Sequence, residues 1–322
     1  MFYIQLNSDI VYVNLRIVSL TVLAILLNFK LLAQQVKFFT SDKDLSNSMI
    51  TSILQDNQGF IWIATEDGLN RFDGLKFLTF QKNANDPSVI TSNFIRTLFV
   101  DSKGRLWVGC INGLMLYNSD KQSFEEIKLF RDTVLLKPHV TSIIESGKGE
   151  IIIATSGQGL VIIKPGALIG YVDLKLTTKL SSRFLECIYE DFKGRLWIGT
   201  ENEGLNLYDP NTEEFKIFRY IPGKQTTLSS NYITAICEDD RRNIVIGTLN
   251  GGLNIYMEND ATFRILPTST GHAASLPIKS LFADKYFNLW VGTNGQGLWK
   301  LNLSSRVLEP KDIIAPRFEV NK

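Results

Sequence analysis

Histidine and cysteine are scarce: 322 residues hold two histidines, His139 and His272, and three cysteines, Cys110, Cys187 and Cys237. The two histidines stand beside Pro138 and Gly271, at unlike places in the chain, and read as solvated linker residues. A Ser-His-Asp triad or a zinc site needs more convergence than that, which disfavours His-based and metal-assisted catalysis. An odd number of cysteines always leaves one unpaired, and no CxxC or Cys/His spacing occurs. All three sit in strand-like apolar runs, where a thiol behaves as a small hydrophobe, so no disulfide framework is implied. An excess of either charge is missing too: 34 Lys and Arg face 33 Asp and Glu. No summed field steers the chain toward nucleic acid or anionic lipid.

The glycine doublets Gly147-x-Gly149, Gly157-x-Gly159 and Gly295-x-Gly297 lack a third glycine opening a helix, so they are hairpin turns and not phosphate loops. There is no ATP-binding signature and no histidine-kinase phosphoacceptor segment. No cofactor is expected. A membrane-spanning run of about 20 apolar residues is also lacking. Ile17 to Phe29 is uncharged, follows Arg16, and leads through Lys30 to Leu31-x-Ala33, a small-residue cleavage site. Residues 1–33 therefore read as a signal peptide, with an uncleaved N-terminal anchor or a buried helix as the alternative. Export predicts a periplasmic or otherwise extracytoplasmic location.

What the chain does have is a repeat. Copies begin at Ile50, Ile95, Val140, Leu185, Ile233 and Ile278, successive starts lying 45, 45, 45, 48 and 45 residues apart. Trp62 is matched in register by Trp107, Ile152, Trp197, Val245 and Trp290. Two places on stands a small residue, Ala64, Gly109, Ala154, Gly199, Gly247 and Gly292, and a Gly-Leu pair follows in every copy. Each copy divides into four strands, in the first Ile50 to Gln55, Phe60 to Thr65, Leu69 to Phe72 and Lys76 to Phe80, and none has room for a helix. Asp56-Asn57-Gln58-Gly59 supplies a turn in which Asp bonds its own backbone and Gly takes a positive φ. The second strand is apolar without alternation, as in a strand covered on both faces. Blades stacked around an axis do this, the small residue allowing close approach and the tryptophans packing between blades. The fold class is all-β: a β-propeller of six four-stranded antiparallel blades over residues 34–309, followed by a tail or the start of a continuation at 310–322.

The pattern IxxIxxDxxGxxWIGTxxGLxxYD, with Asn85 to Asn93 and Thr227 to Asn231 as lead-in segments, resembles the two-component regulator propeller repeat family from Val36 to about Asn302. The third copy departs from it by lacking the Trp and by having Ser146 for the turn Asp; the fifth has Arg242 for the turn Gly. The resemblance implies the periplasmic sensor region of a hybrid two-component histidine kinase, with further propeller repeats and sensor-kinase domains absent from this chain. A seventh copy would begin at position 323, so truncation of a seven-bladed ring is favoured over a closed six-bladed one, and uncovered end blades predict self-association. Val36 to Thr40 resembles an outermost blade strand and is expected to close the ring.

Strand directions place the turn between the second and third strands at the end where blades are linked. The candidate ligand-binding residues on that turn face are Glu66, Asp67, Asn112, Gln158, Glu201, Asn202, Glu203, Asn250, Asn294 and Gln296. A ring of carboxylates and amides suits sugar hydroxyls, and the resemblance implies oligosaccharide recognition. The recurrent Asp56, Asp101, Asp191, Asp239 and Asp284 are read as turn formers, since calcium would need oxygens at alternating positions. No catalytic or metal residues are assigned, and the chain is expected not to be an enzyme. A propeller-fold polysaccharide lyase or hydrolase, and a protein-binding scaffold, are the alternatives.

Overall fold

The computed structural model describes residues 3–6, 9–12, 39–40, 44–83, 85–86, 89–239, 241–266, 276–284, 288–302 and 307–311. It divides into two units, Met1–Lys43 and Asp44–Lys322. The first contains an antiparallel hairpin of Tyr3–Leu6 with Asp9–Tyr12. The expected signal-peptide core and its cleavage site lie outside the described residues. So does most of the expected closing strand, whose Phe39 and Thr40 belong to no strand. Among the described residues no helix is long and apolar enough to cross a membrane.

The second unit is a β-propeller of six blades. Their innermost strands are Ile50–Gln55, Ile95–Val100, His139–Glu145, Leu185–Glu190, Ile233–Glu238 and Ile278–Ala283. Within each blade the pairing is antiparallel and runs in chain order from the axis outward. Blades 2 and 3 depart from the sequence expectation of separate sheets. The outermost strand of blade 2 continues to nine residues, Ser123–Arg131, and pairs in parallel with Ile169–Val172 of blade 3. Gly170 permits this, because a Cβ there would lie 2.7 Å from a Leu129 methyl. Blade 3 also ends in a one-turn helix, Leu174–Thr177, which corrects the expectation of no helix: Asp173 caps it by accepting from Leu176 N at 2.9 Å.

Five apolar clusters hold the blades together, each shared by two consecutive blades. The second strand of blade 2, Leu106–Cys110, shows why it carries no polar alternation. Leu106, Val108 and Cys110 pack toward blade 1 while Trp107 packs toward blade 3. The recurrent small residue seats the first residue of the following blade: a Cβ on Gly109 would meet Val140 at 2.6 Å, one on Gly199 would meet Ile233 at 2.7 Å, and one on Gly247 would meet Ile278 at 2.5 Å.

Burying an indole on this face requires a partner for its N–H, since an unpaired buried donor is costly. The turn aspartate provides it. Asp56, Asp101, Asp191 and Asp284 accept from the indole nitrogens of Trp62, Trp107, Trp197 and Trp290 at 2.7, 2.9, 2.9 and 3.0 Å. Their other oxygens accept turn amides, as in Lys193 N and Arg195 N on Asp191, both at 2.9 Å. The aspartate thus makes the turn and completes the core, which is more than a turn former does. Where the Trp is replaced the need changes: Ser146 serves only two turn amides in blade 3, and Asp239 of blade 5 accepts from the Asn243 side chain. Burial works to raise the pKa of Asp101, yet the bonds from Trp107 and Arg105 hold it below the ordinary carboxylate range. The stability it contributes is complete above that range and is lost as acid protonates the carboxylate.

Among the described residues no cluster joins blade 6 to blade 1. Ile50 is 43% exposed, whereas its five counterparts are fully buried, and Ile53 is 60% exposed where Leu98, Ile143 and Ile188 are at 8% or less. On the far side Phe282 is 65% exposed, while its counterparts Leu54, Phe99, Ile144, Tyr189 and Cys237 pack against the next blade. Two apolar blade faces are therefore uncovered among the described residues.

Two measurements check this account. Replacing Asp191 by Ala should lower unfolding free energy by roughly 3 kcal/mol in urea titrations, because it strands the indole and two turn amides. The purified chain should self-associate at micromolar concentration, with Ile53→Glu and Phe282→Glu together restoring a monomer by light scattering; a wild-type monomer that binds no hydrophobic dye would contradict the uncovered faces.

Candidate functional site

All six innermost strands are interrupted at the same place. In blade 2, Ile95 pairs with Cys110 and Thr97 with Gly109, so Arg96 has no partner across the ladder. The same shift leaves Thr51, Thr141, Glu186, Thr234 and Lys279 unpaired in the other blades. Each is a β-bulge, which re-aims one side chain. The six line a single cavity of about 310 Å³ where the innermost strands converge. The residue before each is fixed by packing as Ile, Val or Leu, yet the bulge positions carry Thr, Arg, Thr, Glu, Thr and Lys.

The cavity is charged and only partly self-satisfied. Arg96 of blade 2 reaches across blade 3 to form an ion pair with Glu186 of blade 4, their side chains 23% and 10% exposed. Burial pushes the Glu186 pKa up, with Arg96 and Lys279 pulling against it. Burial pulls the Lys279 pKa down, reinforced by Arg96. Thr51 donates to the carbonyl of Ile95 at 2.6 Å. The hydroxyls of Thr141 and Thr234, in contrast, are buried without a hydrogen-bond partner.

The residue that precedes each repeat forms a rim on the turn face: Met49, Phe94, His139, Phe184, Tyr232 and Pro277. Five of them are held by an amide from the turn between second and third strands, Glu66, Ile111, Glu201, Leu249 and Asn294 donating to their carbonyls at 2.8 to 3.3 Å. Phe184 is 54% exposed. Tyr232 lies within the field of Glu186, Glu201 and Arg96, and its pKa is raised, by burial first and then by the two carboxylates. His139 corrects the reading of a solvated linker residue. It opens a strand, is half-buried with Nε2 unpartnered, and meets Phe94 edge-on at 6.4 Å between ring centroids. Burial, and then Arg96, lowers its pKa. His272 lies outside the described residues.

The turn-face residues are only partly drawn together by this geometry. Glu201 acts on Glu186 and His139, and Glu66 acts on Lys279, so these two lie beside the cavity. Ser156 donates to Glu201 at 3.1 Å. Asn112 has a buried, unpartnered Oδ1. Others are engaged locally: Asp67 accepts from Asn93 at 2.8 Å, the Gln158 carbonyl from Arg131 at 3.2 Å, and Glu203 pairs with Arg219 at 3.2 Å. Asn202, Asn250, Asn294 and Gln296 are exposed turn residues. The bulge and rim positions were the missed residues, and the signal for them was chemical variation inside an otherwise constant repeat. Among the described residues no group of three or more His, Cys, Asp or Glu could hold a metal ion.

Six antiparallel blades around a polar cavity define the class: a β-propeller that gathers one variable side chain per blade at its axis. The model of the two component regulator propeller family matches residues 44–67, 90–112, 179–202 and 227–250. A 55-residue stretch, 17% of this chain, is 42% identical to histidine kinase P4 of Formosa agariphila and spans 4% of that protein. The extracellular domain of a hybrid two component system from B. thetaiotaomicron superposes with a TM-score of 0.72 at 29% identity, over 85% of this chain and 36% of its own. Virginiamycin B lyase from Staphylococcus aureus shares the fold at 15% identity and a TM-score of 0.59, over 84% of this chain and 87% of its own. This chain thus spans about a third of the length of that extracellular domain.

The cysteines bear on how open the cavity is. Burial pushes the thiols of Cys110 and Cys237 up to about 12 and raises that of Cys187, which borders the cavity. All three are free. None should react with a disulfide reagent at pH 8 in the native protein, and three should react in guanidinium chloride. Rapid native labelling of Cys187 would mean a wider bore than the one described.

Proposed function

We infer that this chain is the extracytoplasmic ligand-sensing module of a two-component regulatory system, that it recognises oligosaccharides on the turn face, and that it is not an enzyme. One observation carries the reading. Polar side chains from all six blades line a single axial cavity, Tyr232 and His139 lie within the field of its charges, Phe94 meets His139 edge-on, and the exposed Phe184 is tied through its carbonyl to Glu201 beside it. Flat apolar rings with hydrogen-bonding groups below them match the two chemistries of a sugar, its C–H face and its hydroxyls. The likeness to an extracellular two component domain supports the location and the signalling role. Kinase domains, which this chain would need in order to phosphorylate, would lie elsewhere in the system.

Against catalysis stands the chemistry of the site. His139 meets Phe94 with an unpartnered Nε2, so no hydroxyl or carboxylate activates it or is activated by it there. The shared fold with a lyase carries no activity with it, because propellers host many functions.

Calorimetric titration with a panel of neutral and acidic oligosaccharides tests the reading. At least one should bind, and Phe184→Ala or Tyr232→Ala should weaken it at least fivefold, about 1 kcal/mol. Silence across the panel from folded protein would argue for a protein-binding scaffold. Release of reducing ends or unsaturated products would argue for an enzyme.

A further inference from the structure

Resting on the sugar-binding reading, we propose that the axial cavity is a subsite for the carboxylate of an acidic sugar unit, a uronate, inserted one ring deep from the turn face. The size fits one residue and not a chain: about 310 Å³ stands at the lower end of small-ligand pockets.

The polarity follows from an inventory of donors. Lys279 forms no ion pair among the described residues, and its ammonium offers three donors to the cavity. Arg96 commits one nitrogen to Glu186 and keeps others free. Thr141, 7% exposed, and Thr234 each hold a buried hydroxyl with no partner. On the acceptor side the cavity's own carboxylate, Glu186, is already engaged by Arg96. Donors in excess, one of them an ammonium that feels Glu186 and Glu66 but closes an ion pair with neither, call for an anionic oxygen, and such bonds are stronger than neutral ones. The carboxylates at the mouth, Glu66 and Glu201, sit on turns at the level of the rim. They are placed to accept from ring hydroxyls while the carboxylate points inward.

The alternative occupants are a neutral ring, held by hydroxyls alone, and a cationic one, drawn by the mouth carboxylates. Three probes of one ring shape separate them: D-glucuronate, D-glucose and D-glucosamine, titrated at pH 7 and low ionic strength into the full chain. Glucuronate should bind at least tenfold more tightly than the other two, and added salt should erode the difference. Lys279→Gln should abolish the preference. Thr141→Val should weaken glucuronate several-fold while leaving the melting temperature unchanged or higher, since it removes a hydroxyl that has no partner in the free protein. A merely structural Thr141 would instead lower the melting temperature and leave binding alone. Equal binding of glucose and glucuronate, tighter binding of glucosamine, or no binding of any of the three would overturn the proposal. Binding of neutral oligosaccharides in the wider panel, without glucuronate preference, would leave the sugar-sensing role standing and remove only this subsite.

Discussion

Every blade is apolar on both faces, and that constraint shapes the rest. A sheet with one wet face tolerates alternation; a sheet with none must be covered twice, and the only surface of the right shape is another copy of itself. The tryptophans make the covering large, and the turn aspartates make it permissible. Without Asp101 or Asp191 the indoles of Trp107 and Trp197 would be fully buried with an unpaired N–H, a loss comparable to much of what their apolar area contributes. One carboxylate therefore links hairpin geometry to the interface between blades. Where the indole gives way to Ile152, the carboxylate gives way to Ser146, and both changes relax together.

The strands and their register were legible in the sequence because interface packing dictates them, and interface packing repeats. Trp62, Gly199 and the Gly-Leu pairs mark strand two and the turn after it within a residue of where they lie. What the repeat does not encode was not legible. The parallel pairing of Lys128 with Ile169 depends on one long outer strand and one glycine, Gly170, each present in a single copy. The helix Leu174–Thr177 rests on a cap by Asp173 that four residues of sequence do not distinguish from a turn. His139 looked like a linker residue because Pro138 precedes it, yet the strand of blade 3 starts there, one residue earlier than in its neighbours.

The candidate site was legible only by its end of the molecule. Strand direction correctly gathers the turns between strands two and three beside the start of strand one, as the amide from Glu201 to the Phe184 carbonyl shows. It does not say which side chains point to the axis. A bulge adds no hydrophobic signal and no turn residue, so nothing in the apolar pattern separates Arg96 from Thr97. The distinction lies in the ladder, where Thr97 faces Gly109 and Arg96 faces nothing.

That separation explains how a rigid repeat carries a variable site. The residue before the bulge is fully buried from Ile95 through Ile278 and is held by the small residue of the preceding blade, so its identity is fixed by packing. The bulged residue is excused from the ladder and from the apolar interface, and changing it alters the cavity without touching the apolar core. Because each blade contributes one such side chain, a ligand that engages Arg96, Glu186 and Lys279 together bears on blades 2, 4 and 6 at once. In a structure stabilised by nearest-neighbour interfaces, such contacts add to the Arg96–Glu186 ion pair in coupling blades that share no apolar interface. Binding energy then stabilises one relative arrangement of the blades over others, in proportion to its differential affinity for that arrangement. Among the described residues the exposed faces of blades 1 and 6 leave these two blades with the least apolar contact holding them in place, and Lys279 belongs to blade 6. A ligand drawn to Lys279 and to the far side of the bore would therefore act where the ring has the weakest restraint of its own.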